Sequence, residues 1–130
     1  MPLADLLKYD DKGYVPAIIY DATTSQPLVL CFMNADAVAK TAETGFVHVF
    51  RRSRGRLMLK GETSGHTQKV VDMFVNCDGN SLAIAVEQKV AACAHGYYSC
   101  YYRRYNPETG ELDVVGERMF DPAEVYKKTS

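Results

Sequence analysis

The chain has no tryptophan, only three histidines and four cysteines in 130 residues. Long hydrophobic runs are missing too. Apolar stretches such as 17–20 and 28–33 fall far short of the roughly 20 residues needed to cross a bilayer, so no membrane partner is expected. The opening Met-Pro-Leu-Ala-Asp has neither the basic start nor the apolar run of a secretory signal, which points to the cytoplasm. In that reducing compartment, cysteines are expected as buried thiols or metal ligands rather than as disulfides. Neither sign of charge is in excess: 15 Lys and Arg against 16 Asp and Glu leave a net charge of -1. No global field therefore draws in nucleic acid, and phosphate recognition would have to come from a local basic cluster.

What is present suits a globular protein, with 47% hydrophobic and 24% charged residues. The length fits one core, so residues 1–130 are expected to form a single domain. Val15 to Tyr20 and Leu28 to Met33 are short apolar or β-branched runs separated by turn formers, which predicts a hairpin. Asn34 is placed to cap a helix over residues 35–43, and Gly45 to stop it. Beyond it, 46–50, 56–60, 68–76 and 81–88 each fit a strand, so sheet dominates the expected fold. A second hairpin is expected from Tyr101 to Tyr105 and Leu112 to Val115 around Asn106-Pro107-Glu108-Thr109-Gly110. Asp121 and Pro122 could open a terminal helix reaching Lys128.

Three groups of residues could carry chemistry. Cys77, Cys93 and Cys100, with His95 nearby, could hold a tetrahedral metal with one position open, as catalytic zinc requires, although their spacing is not that of a zinc finger. Free cysteine is also commonly a small buried hydrophobe, the expectation for Cys31 within its apolar strand. Asn76-Cys77-Asp78-Gly79-Asn80 surrounds a glycine turn with side-chain oxygens. It could offer ligands to magnesium, or it could simply brace its own turn. The basic run Arg51, Arg52, Ser53, Arg54, Gly55, Arg56, followed by Lys60 and the loop 61–66, could bind phosphate through side chains and loop amides, or form a solvated face.

The ungapped stretch Arg52-Ser53-Arg54-Gly55-Arg56-Leu57-Met58-Leu59-Lys60-Gly61-Glu62-Thr63-Ser64-Gly65 resembles the signature of the phosphoribosyl-AMP cyclohydrolase family. Met33-Asn34-Ala35-Asp36-Ala37, Glu43-Thr44-Gly45, Cys77-Asp78, Val86-Glu87-Gln88, Cys93 and Ser99-Cys100-Tyr101-Tyr102-Arg103 follow in register, so the likeness spans roughly residues 13 to 105. The resemblance implies a mainly β (α+β) pseudobarrel capped by a short helix, in an intertwined homodimer with active sites between subunits. It implies a zinc hydrolase that opens the purine ring of phosphoribosyl-AMP between N1 and C6. Zinc would be held by Cys77 of one subunit with Cys93 and Cys100 of the other. Magnesium would fall on Asn76, Asp78 and Asn80, the substrate's phosphates on Arg52, Ser53, Arg54, Lys60, Gly61, Thr63 and Ser64, and proton transfer on Glu62 and His95.

The chain also departs from the family pattern. Asn76 and Asn80 stand where the family has Asp, and loss of two carboxylates weakens a magnesium site. Cys93-Ala94-His95-Gly96 replaces Cys-His-Thr-Gly, Met58 stands where Trp is typical, and Arg51 where Ser is frequent. Three functions stay open on these residues: the ordinary cyclohydrolase, a paralogue acting on another purine-like heterocycle, and a zinc- or nucleotide-binding protein without catalysis.

Overall fold

The computed structural model describes residues 2–51, 53–93 and 95–123. A 3-10 turn at Leu3–Leu6 precedes β1 (Val15–Asp21), β2 (Pro27–Met33), α1 (Ala35–Thr44), β3 (His48–Arg51), β4 (Arg56–Leu59), β5 (Gln68–Val75), β6 (Leu82–Gln88), β7 (Arg103–Asn106) and β8 (Glu111–Val114). The fold is α+β, mostly strand with one α-helix among the described residues. The terminal helix is described only at its start, where Asp121 accepts from the Ala123 amide at 3.0 Å; residues 124–128 lie outside the described set.

Local chemistry sets the helix ends. Asn34 accepts from the Ala37 amide at 2.9 Å, and Gly45, at φ +78°, ends the helix in the left-handed conformation while donating to the Thr41 carbonyl at 3.0 Å. The helix buries Ala37, Val38 and Thr41, and the His48 amide donates to the Thr41 hydroxyl at 2.9 Å, locking α1 to β3.

The main sheet has the order β2-β1-β6-β5, in which β1 and β6 run parallel and the other pairs antiparallel. β3-β4 and β7-β8 are separate two-stranded sheets. The pseudobarrel that the resemblance implies is thus not a closed ring of paired strands among the described residues. What links the β3 end to β5 is a bridge between Phe46 and Lys69 and a 3.0 Å bond from the Val47 amide to Gln68.

Alternation along β1 turns Val15, Ala17 and Ile19 to the core, where they meet Leu28, Met33, Leu82, Ile84 and Val86, with Val38 and Val47 closing it. Each of these side chains larger than alanine contributes about 1.5–3 kcal/mol on burial. The opposite face is also apolar. Register places Leu30 beside Ile18, Ile18 beside Ala83 and Ala83 beside Phe74, a row across all four strands whose ends, Leu30 and Phe74, are 46% and 51% exposed.

Candidate active site

The cleft begins with the loop after β4. Gly61 sits at φ +88°, and a Cβ there would lie 2.5 Å from the backbone carbon and oxygen of His66, so only glycine lets the loop fold back this closely. The Gly65 amide donates to the Gly61 carbonyl at 2.7 Å and the His66 amide to the Ser64 hydroxyl at 3.2 Å, closing the turn. At the far end the Lys89 amide donates to the Thr67 carbonyl at 2.9 Å, which fixes the loop to the exit of β6.

The second wall is the segment between the two later cysteines. The Ala92 and Cys93 amides donate to the Tyr98 and Tyr97 carbonyls at 3.0 and 3.2 Å. Gly96, at φ +99°, makes the reversal, and a Cβ there would meet the Phe120 carbonyl oxygen at 2.2 Å. The Cys100 amide donates to the Leu28 carbonyl at 2.7 Å, bringing this segment back to the edge of β2. The Cys93 and Cys100 thiols thereby become neighbours: burial, then the adjacent Cys93, push the Cys100 thiol up to about 11. Lys60 reaches the same place, donating to the Ala92 carbonyl at 3.4 Å and opposing the rise at Cys100 with its charge.

Between these walls lies a cavity of about 200 Å³. Its lining includes Lys60, Gly61, Glu62, Thr63, Ser64 and Cys93 from the sequence expectations. Glu62 is ion-paired to Arg56 at 2.5 Å. Ser53 and Arg54 lie exposed on the β3–β4 turn, away from the lining, and Arg52 lies outside the described residues. His95 is exposed and absent from the lining; its amide donates to the Cys93 sulfur at 3.4 Å. The cleft also holds residues not singled out from sequence. Cys31 faces it, its thiol pushed up by burial, because β2 turns Cys31 to the same side as Met33. His66 is half-buried in the wall, its ring edge-on to Phe120 with centroids 4.7 Å apart, and burial followed by the Lys89 charge lowers its pKa. The signal for His66 was its place at the end of the glycine-bracketed loop. Cys31 had none, since a strand cysteine looks like any buried apolar residue.

Cys77 is exposed at the opposite end of the β5–β6 hairpin. At roughly 3.3 Å per strand residue it stands some 30 Å along β5 from Gln68, near which the cleft lies. Among the described residues no three His, Cys, Asp or Glu side chains converge to hold a metal. The thiols of Cys93 and Cys100 are nevertheless donors of the kind that a soft, thiolate-loving metal takes.

The turn at 76–80 has a different character. The Asn76 side-chain oxygen accepts from the Asn80 and Ser81 amides at 2.9 and 3.0 Å, and its nitrogen donates to the Asn80 side-chain oxygen at 2.6 Å. Both side-chain oxygens are committed within the turn, and of the three positions only Asp78 brings a carboxylate. Magnesium does not fit this turn as folded.

The family model for phosphoribosyl-AMP cyclohydrolase matches residues 29–102. The protein of that name from Methanospirillum hungatei is 49% identical over 123 residues, 95% of this chain and 90% of the relative. Those of Methanococcoides burtonii and Pelotomaculum thermopropionicum are each 46% identical, covering 94% and 95% of this chain and 97% and 95% of theirs. A match of this extent, running through the loop 61–65 and both cleft cysteines, places the chain in the phosphoribosyl-AMP cyclohydrolase family.

Proposed function

We propose that this chain hydrolyses phosphoribosyl-AMP, breaking the purine C6–N1 bond in the third step of histidine biosynthesis, and that it does so as a zinc-bearing homodimer. The observation that carries this reading is the single cleft in which Cys93 and the loop from Lys60 to Ser64 meet. Relatives of that name align over nearly the whole chain. Cys93 and Cys100 of one protomer would hold zinc together with Cys77 of the other; zinc, when bound, activates water near neutral pH. Lys60 and the hydroxyls and amides of Thr63 and Ser64 supply donors for phosphate, and Arg56, tethered by Glu62, adds charge at the rim.

Two further features support the dimer. A cavity of about 200 Å³ is small for a nucleotide with two phosphoribosyl groups, given that ligand sites usually enclose roughly 300–1,000 Å³. The apolar row from Leu30 to Phe74, and the exposed Tyr105, Leu112 and Val114 of the β7–β8 arm, offer surface for a second copy to cover. No helix among the described residues is long and apolar enough to cross a membrane.

The zinc-loaded protein is assayed on phosphoribosyl-AMP, following ring opening by absorbance. Turnover on the order of 1 per second or faster is expected. The exchanges at Asn76, Asn80 and Ala94 favour one second reading, a related hydrolase for another purine-like heterocycle. Zinc-bound protein that leaves phosphoribosyl-AMP intact but opens such a ring would select it; protein inert on both would reduce the function to binding.

A further inference from the structure

We propose that His66 is the proton carrier of this cleft, accepting a proton from the attacking water and delivering it to N1 as the C6–N1 bond breaks. The inference rests on the ring-opening reading above. That reaction adds one water: C6 gains the oxygen, the C6–N1 bond is lost, one of the water's protons goes to N1 and the other to the exocyclic nitrogen, which ends as the amide NH2. Some group must therefore take a proton on one side of C6 and release it on the other.

Three side chains compete for the task. Glu62 lines the cleft, but its carboxylate is engaged by the Arg56 guanidinium at 2.5 Å. His95 is exposed on the turn after Cys93, outside the lining. Among the described residues His66 is the only imidazole lining the cavity, which Cys93 also lines.

The backbone is built to hold it there. Close packing of Gly61 on the His66 carbonyl, the Ser64 hydroxyl under its amide and the edge-on ring of Phe120 fix it from three sides. The charged or titratable groups sharing its surroundings are Lys89 beyond β6, Lys60 and Glu62 of its own loop, Arg51 of β3, and Cys31 and Cys93. Burial and Lys89 both disfavour the imidazolium, so the ring is neutral at pH 7 and free to accept a proton.

The test compares the zinc-loaded dimer with H66N and H66A on phosphoribosyl-AMP across pH, with zinc content and thermal stability measured in parallel. Both variants are expected to lose about 100-fold or more in kcat with KM changed little, and to lose the acid limb of the pH profile. Added imidazole should restore part of the H66A rate, which a merely structural histidine would not allow. H66N retaining both kcat and the acid limb, or a loss confined to KM, overturns the inference while leaving the ring-opening reading intact. A wild type that holds zinc without opening the ring overturns both. If H66A unfolds, H66N with its retained polar side chain decides the matter on the same readouts.

Discussion

Gln88 and Tyr98 are joined by a 2.8 Å hydrogen bond from the Gln88 side-chain amide to the Tyr98 carbonyl, and this bond hangs the segment between Cys93 and Cys100 from the end of β6. Gln88 also accepts from Gln68 at 2.7 Å; Gln68 is fully buried, and its own side-chain oxygen finds no partner among the described residues. The pair therefore links β5, β6 and the cysteine wall through side-chain hydrogen bonds.

Substituting Gln88→Met removes both bonds and strips the Gln68 side-chain amide of its acceptor, while the Tyr98 carbonyl keeps the Ala92 amide as its one donor. An orphaned group of this kind costs about 1–3 kcal/mol. Urea unfolding should show a loss in that range, and zinc retention should fall as the cysteine wall loosens. Unchanged stability and metal content would show the network to be incidental.

How much of this could be read from the chain depends on how local the cause is. The capped helix between Asn34 and Gly45 and the hairpins around 21–27 and 106–110 were legible because a few adjacent residues determine each. The parallel pairing of β1 with β6 was not, since it joins residues separated by five other elements and nothing in either strand names its partner. The cleft was legible in its first half, where the glycines of the loop 61–65 announce a tight turn. The arrival of Cys31 and His66 in the same cleft follows from strand facing and loop closure, which composition does not record. The basic cluster separated for the same reason: one pair of arginines, Arg51 and Arg56, turns toward the cleft or its rim, while Arg54 stays on the β3–β4 turn.

The turn at 76–80 makes a prediction about magnesium. Asn76 and Asn80 share a 2.6 Å hydrogen bond that two carboxylates could not make without a cation between them. N76D/N80D should therefore melt lower without magnesium by about 3–6 °C per kcal/mol of repulsion, and recover when magnesium is added. The unaltered protein should melt at the same temperature with or without it. A magnesium-dependent rise in the unaltered protein would show that the turn rearranges to bind the ion.

Asp21 and Tyr98 give a pH dependence with a definite sign. The Tyr98 hydroxyl donates to Asp21, and this bond is the main cause holding the carboxyl below its usual range. Burial, then Asp21, pushes the phenol up to about 12. The depressed carboxyl contributes stability above the ordinary carboxylate range, lost as pH falls through its lowered pKa. The raised phenol contributes stability below about 10, the usual tyrosine value, lost as pH rises toward its folded value. Y98F should be less stable than the parent by a constant margin near neutral pH, and the margin should shrink toward both extremes. Denaturant unfolding across pH measures this, and a margin independent of pH would remove the coupling.

Subunit mixing tests the proposed sharing of a metal site between protomers. Cys77 lies at one end of the β5–β6 hairpin, while Cys93 and Cys100 lie near the other. If zinc joins Cys77 of one protomer to Cys93 and Cys100 of its partner, C77S and C93S homodimers should each lose zinc and activity. Mixed after unfolding together and refolding, half of the dimers carry one chain of each kind, and each such heterodimer regains one intact site because its unaltered Cys77 faces an unaltered Cys93–Cys100 pair. Recovery to roughly a quarter of the wild-type zinc content and activity follows from that symmetry. A site built within one chain would give no recovery at all, since no single chain in the mixture holds all three thiols.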